Sequence, residues 1–197
     1  MADRLALDLP KTALLLMDMQ TVAFEKYVPT VRSAELLENT AKLLASARAA
    51  AIKVVYVTVG FRRNYPEIDP RNALFTSIKE EGLFALEDIK TAIHPAVRPA
   101  AGDPVVIKHR VGAFSGTDLQ MLLSANGIET LLIAGVTTSG SVLSTLRQAF
   151  DLDYRLIVAR DCCADLDDDV HQMLMDKLFP PHAEVVLSTD ISNALSA

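Results

Sequence analysis

Three residues of chemically useful type each stand where an apolar run stops. Asp18 follows residues 12–17 (TALLLM), with Gln20 two positions further on. Lys108 ends residues 104–108 (PVVIK). Residues 130–134 (TLLIA) lead into Gly135-Val136-Thr137-Thr138-Ser139-Gly140-Ser141. An acid, an amine and a hydroxyl can move a proton, hold charge and attack a carbonyl. Each also has a plain structural reading. An Asp after a strand often caps the next helix. A Lys there is commonly a solvated strand end. A Ser in a turn rich in Ser, Thr and Gly often bonds the nearby backbone. No one of the three carries a function; their combination does.

The elements that must position them alternate in type. Strands are predicted at residues 12–17, 52–59, 104–108, 130–134, 154–159 and 184–187. Helix-period segments fall at 33–51, 117–126, 138–152 and 167–179. Glu35 and Glu38 suit the first turn of the helix at 33–51. Thr117 and Gln120 have capping-box spacing, and Gly127 closes that helix. Val142, Leu146, Ala149 and Phe150 share one face of the next. Strands that read as continuous apolar runs, alternating with helices, imply a parallel sheet covered on both faces. In such sheets ligands bind outside the carboxyl ends of the strands, where the three residues stand. The least regular stretch, 60–102, is a natural pocket wall.

Composition narrows the classes. The chain has 197 residues, half of them hydrophobic and 22% charged, which suits one domain spanning 1–197. Lys+Arg 19 against Asp+Glu 25 gives a net charge of −6 and no basic run, which argues against nucleic-acid binding. No apolar run approaches the length of a membrane span, and no signal-peptide pattern precedes the first strand, so the expected setting is cytoplasmic. Cys162 and Cys163 are adjacent, make no disulfide framework, and read as buried small residues. The apolar composition favours a homo-oligomer.

Taken together, three motifs resemble the isochorismatase-like superfamily, also called cysteine hydrolases. They are Asp18-Met19-Gln20; Lys108 with Ala113, Phe114, Thr117 and Leu119; and Gly135-Val136-Thr137-Thr138 with Ser141, Val142 and Thr145. The resemblance runs from about Thr12 to Leu187. It implies a three-layer α/β/α, Rossmann-like fold whose six-stranded parallel sheet has the order 3-2-1-4-5-6. That order sets Asp18 beside Ser141, whereas Lys108 needs its long stem to reach them. The resemblance also implies a catalytic Asp–Lys–Cys trio, carried over to Asp18, Lys108 and position 141. Amidase members have cysteine at that position and true isochorismatases have glycine. Serine matches neither, so the first step of a hydrolase would be slowed, whether serine is native or replaces cysteine. A cis peptide is expected at Val136–Thr137, with backbone N–H groups of Thr137 and Ser141 as oxyanion donors. That the homo-oligomer is a dimer or tetramer is also what the resemblance implies.

The substrate is expected to be a small molecule carrying an amide, ureide or carbamoyl C–N bond. The alternatives are vinyl-ether hydrolysis of the isochorismatase type without a covalent nucleophile, and a catalytically silent metabolite-binding homologue. Gln20, Phe24, Phe61, Arg62, Tyr65 and Phe114 are candidate pocket residues, although aromatics of this kind are equally at home in a core. Arg62 could meet a substrate carboxylate. Nicotinamidase relatives carry zinc-ligand histidines after strand two; residues 60–67 have none, so neither a metal nor any other cofactor is expected.

Overall fold

The computed structural model describes residues 5–197. Six strands form one parallel sheet: β1 (Thr12–Met17), β2 (Lys53–Val59), β3 (Val105–Lys108), β4 (Thr130–Val136), β5 (Arg155–Ala164) and β6 (Glu184–Val186). Their order is β3-β2-β1-β4-β5-β6, as the resemblance implied. Every residue of β1 and β4 is buried, because both faces of the sheet are covered.

Alternate strand residues feed two cores. Leu14, Leu16, Val54, Tyr56, Leu132 and Ala134 face one side. There they meet α1 (Thr21–Tyr27), α2 (Thr30–Ala49), α3 (Ala73–Glu80) and α7 (Ser188–Leu195). Ala13, Leu15, Met17, Val55, Val57, Leu131 and Ile133 face the other. They meet α4 (Leu119–Ala125), α5 (Leu143–Asp151) and the segment that opens with α6 (Asp168–Met173). Burying each such aliphatic side chain is worth about 1.5–3 kcal/mol. No helix among the described residues is long and apolar enough to cross a membrane.

Several local expectations need correction. The helix expected at 33–51 begins at Thr30, so Glu35 and Glu38 lie beyond its first turn. No capping box forms at Thr117. Its hydroxyl donates to the Ala113 carbonyl and accepts from the Leu119 N–H, and α4 starts at Leu119 with Gln120 exposed. The helix expected at 138–152 opens instead as a wide π turn, Thr138–Val142, before α5. Phe150 leaves the core face; it is 44% exposed and packs edge-on against His182. α6 likewise passes into a π turn at Leu174–Leu178. β5 runs to Ala164, past the polar pair Arg160–Asp161 that ends the apolar run in the sequence. α1, α3 and α7 have no counterpart in the sequence reading. Cys162 and Cys163 are buried and unpaired, and burial pushes the Cys162 thiol up to about 12.

Two strand details set the spacing of the carboxyl edge. Met17 of β1 stands opposite Val57 of β2 and Gly135 of β4. Gly135 has φ +152°, and a Cβ built there would lie 2.3 Å from the Met17 carbonyl oxygen. Only glycine lets the two strands run this close. The chain then turns sharply, since Asp18 has φ +53°.

Candidate active site

The three strand ends meet in one cavity. Asp18 leaves β1, Lys108 ends β3, and Ser141 lies in the π turn after β4; all three line it. Lys108 spans the two-strand gap. Its stem is buried at 1% exposure, and its Nζ lies 2.8 Å from Asp18 Oδ2 and 2.7 Å from Ser141 Oγ. The same nitrogen donates to the Val111 carbonyl at 2.6 Å. Three acceptors therefore surround the ammonium, which matches its three N–H donors.

Asp18 is 6% exposed, and its second oxygen, Oδ1, is buried with no hydrogen-bond partner. A buried acceptor left open is costly unless a ligand, a water or a reacting group meets it. Burial pushes the Asp18 carboxyl above its ordinary range, and the Lys108 ammonium opposes that shift. Ser141 Oγ also lies 3.9 Å from Met17 Sδ.

The turn that carries Ser141 is held from beneath by groups absent from the sequence expectations. The Ser139 N–H donates to Asp165 Oδ2 at 2.6 Å, and Asp165 Oδ1 accepts from the Leu166 N–H. Thr138 Oγ1 and His171 Nδ1 share a buried hydrogen bond of 2.8 Å. Burial lowers the pKa of His171, which favours the neutral ring. Thr137 Oγ1 accepts from the Gly140 N–H. The peptide Val136–Thr137 is cis, and Val136, Thr137 and Gly140 line the cavity beside Ser141. Asp165 follows β5 and His171 lies on α6. Only the folded order of strands, β4 beside β5, brings them under the turn.

The other expected pocket residues lie elsewhere. The Gln20 amide is fully buried, donates to the carbonyls of Val59 and Thr91, and accepts from the Val59 N–H. It ties β1, β2 and the following loop together. Phe24 and Phe61 sit in the core against His94 and Phe75 respectively. Tyr65 packs on Phe61 and donates to the Leu83 carbonyl. Phe114 belongs to the opposite core, stacked on Tyr154. Arg62 is exposed and paired with Glu67. None of the six lines the cavity that holds Asp18.

Its upper wall comes instead from Ala23 and Tyr27 of α1, from Leu74, Phe75 and Ile78 of α3, and from Phe84. Val59, Arg110 and Val111 complete it. The cavity has a volume of about 150 Å³, comparable to a cavity that holds one benzene ring. Among the described residues, no three His, Cys, Asp or Glu side chains gather as a metal site.

The sheet order, the trio of strand-end side chains and the pocket over them define a small-molecule hydrolase scaffold. Residues 12–190 match the model of the isochorismatase domain, and the chain belongs to the isochorismatase family. It is 30% identical to YecD of Escherichia coli O157:H7, an uncharacterized isochorismatase family protein, over 97% of this chain and 100% of that one. It is 30% identical to the maleamate amidohydrolase of Pseudomonas putida, over 94% of this chain and 87% of that enzyme. A cysteine hydrolase from Pseudomonas syringae pv. phaseolicola 1448A shares the fold, with a TM-score of 0.90 and 23% identity over 100% of this chain and 99% of that one. The chain is thus a hydrolase by family.

Proposed function

We propose that this hydrolase cleaves the C–N bond of a small amide, ureide or carbamoyl compound, with Asp18, Lys108 and residue 141 as its working groups. The observation that carries the reading is the open Oδ1 of Asp18, in a carboxyl whose other oxygen is 2.8 Å from the Lys108 nitrogen that also holds Ser141 Oγ. An open acceptor on a carboxylate that shares the Lys108 nitrogen with a hydroxyl supports proton transfer from that hydroxyl. The similarity to a maleamate amidohydrolase supports the amide class.

Oγ of residue 141 attacks the substrate carbonyl carbon while Asp18 takes the hydroxyl proton. Negative charge collects on the carbonyl oxygen, with backbone N–H groups of Thr137 and Ser141 as its donors. The C–N bond then breaks, and Asp18 passes the proton to the departing nitrogen. Water attacks the resulting ester, Asp18 accepts its proton, and the carboxylic acid leaves as Oγ is reprotonated. Lys108 keeps the carboxylate and the nucleophile in register throughout. A serine hydroxyl is far less acidic than a thiol, so a carboxylate base suits cysteine better than serine here.

The raised carboxyl of Asp18 favours a second reading, in which it protonates a vinyl ether and no covalent intermediate forms. Intact-protein mass spectrometry separates the two. On exposure to a panel of small amides, Ser141→Cys should acquire a transient acyl adduct and release ammonia or amine faster than the serine form. Equal rates for the two forms, with no adduct on either, would remove residue 141 from the chemistry and leave the ether reading ahead.

A further inference from the structure

The turn that presents residue 141 hangs from two side chains, and one of them can change its charge within an ordinary pH range. Asp165, just past β5, takes the Ser139 N–H, and His171 of α6 meets Thr138. Thr138 is 0% exposed and His171 1%. Among the described residues the Thr138 hydroxyl has no partner besides the His171 ring. A hydroxyl proton buried without an acceptor is costly, so the hydroxyl donates and His171 Nδ1 accepts. The ring's own proton then belongs on Nε2. That nitrogen has no protein partner among the described residues, yet it is not one of the fully buried atoms left open. The helix beneath the ring is fastened on three sides. Asp167 caps α6 by accepting from the N–H groups of Asp169 and Val170. Asp168 pairs with Arg32 of α2, and Gln172 accepts from Arg160 of β5.

We propose that His171 is a positioning residue of the site: uncharged, it accepts from Thr138 and fixes the turn in which the attacking group of residue 141 stands. The proposal rests on the amide reading above, because only that reading asks residue 141 to attack, and it adds a control of the same site. A second proton on the ring occupies Nδ1. The contact then reverses: Nδ1–H points at Thr138 Oγ1, and the hydroxyl proton loses its buried acceptor. The charges around the ring are mixed. Arg32 from α2 and Arg160 from β5 oppose the imidazolium, whereas Asp168 on α6 and Asp165 after β5 favour it. Asp176, in the turn that follows α6, also senses its charge. Burial is the largest influence and favours the neutral ring. The hold on Thr138 is therefore present at neutral pH and is lost as pH falls through a value below the ordinary 6.5 of histidine.

The ring is tested first, on the unaltered chain. Nitrogen NMR of the histidines should find His171 as the Nε2–H tautomer with a titration midpoint below 6.5. An Nδ1–H tautomer, or a midpoint at or above 6.5, overturns the assignment. Placement of residue 141 is tested next, in the Ser141→Cys background, by the pH dependence of thiol alkylation with iodoacetamide. Peptide mass spectrometry separates this thiol from the buried Cys162 and Cys163. Beside Lys108 the thiol should ionise below its ordinary value of about 8.5. His171→Ala and Thr138→Val should each raise the alkylation midpoint by about one pH unit as the thiol leaves Lys108. The double variant should go no further, since both changes remove one contact. His171→Asn offers an oxygen near the place of Nδ1 and cannot charge, so it should restore the midpoint. On a cleaved amide, His171→Ala and Thr138→Val should lower kcat about 10- to 100-fold with KM little changed. His171→Asn should recover most of that rate and remove one proton from the acid limb. A midpoint that neither single variant moves, additive shifts in the double variant, or no recovery with Asn overturns the assignment. Thr138→Val keeps the side-chain shape, so it and the NMR titration decide the matter if His171→Ala does not fold. Shifted midpoints with no amide cleaved by any form refute the hydrolytic reading alone. Cleavage with kcat unmoved by either variant refutes only the role of His171.

Discussion

The floor and the upper wall of the cavity are built on different principles. The floor is made by strand ends. Asp18 and Lys108 stand at strand ends of the parallel sheet and Ser141 in the turn that follows β4, and each has polar partners within 2.6–2.8 Å. The wall is made by α1, α3 and the loop around Phe84, whose side chains touch the cavity with hydrocarbon. Leu74 is 57% exposed at its edge. On the proposed reading, a polar floor under an apolar wall separates two tasks, chemistry below and choice of substrate above.

Substitutions should respect that division, and the largest effects belong to the floor. In the Ser141→Cys background, Asp18→Asn should lower kcat/KM by about 10²–10⁴-fold, because an amide cannot accept the proton. Steady-state kinetics on a cleaved amide measures this; a loss under tenfold would take Asp18 out of proton transfer. The supports beneath the floor come next. Asp165→Ala removes the acceptor for the Ser139 N–H and should lower kcat about 10²-fold with KM little changed, since small misplacements of a reacting group are expensive. Asp165→Asn keeps an oxygen acceptor and should recover most of the rate. A parallel rise in KM would mean that Asp165 supports the pocket as a whole.

The wall should respond in KM. Phe75→Leu should raise KM about tenfold with kcat nearly unchanged. Gln20→Ala is the useful contrast, because Gln20 touches strand ends and not the cavity. It should lower the free energy of unfolding by about 1–3 kcal/mol in urea titrations, through unsatisfied buried backbone groups. A KM effect from Gln20→Ala that matches that of Phe75→Leu would erase the distinction between floor support and wall.

The smallest effect at neutral pH is a displaced acid limb. Burial raises the Asp18 carboxyl above its ordinary 3.8. A reaction that needs the carboxylate therefore loses rate as pH falls through this raised value, so the limb of kcat/KM should stand above pH 3.8. In the ether reading the same group must be protonated, and rate would instead fall as pH rises. Stability has the opposite sign to the amide limb. The fold favours protonated Asp18, so this contribution is present below pH 3.8 and is lost as pH rises through the folded value. A scan of Tm against pH, compared with Asp18→Asn, reads it directly.

The same contrast explains what the sequence could disclose. Strands buried on both faces need uninterrupted apolar runs, and β1, β2 and β4 are legible for that reason. So are the residues that end them, because position along a strand is position along the chain. β5 is read short because Arg160 and Asp161 interrupt its pattern. Both are only half-buried, and they pair with Asp176 and with Ser188. The wall is not legible. Phe24, Phe61, Tyr65 and Phe114 are aromatic like Tyr27, Phe75 and Phe84, and only packing decides which ring turns to the cavity. α3 covers eight residues within an irregular stretch, too few for periodicity to stand out. Asp165 and His171 are hidden for another reason. They act through Ser139 and Thr138, 26 and 33 residues away, and no local pattern links such partners.

Gly135 carries a consequence for how this scaffold can change over time. The approach of β4 to β1 leaves no room for a Cβ at that position, with the Met17 carbonyl oxygen 2.3 Å from where it would stand. Any other residue must part the two strands that deliver residues 18 and 141. Position 141 itself is held by main-chain contacts at Ser139 and by side chains at Thr137 and Thr138, none of which depends on the group attached to its own Cα. On the proposed reading, the attacking atom can be exchanged at this position while the place of attack stays fixed. On that reading one codon retunes the reactivity, whereas the position six residues earlier has no room for a side chain.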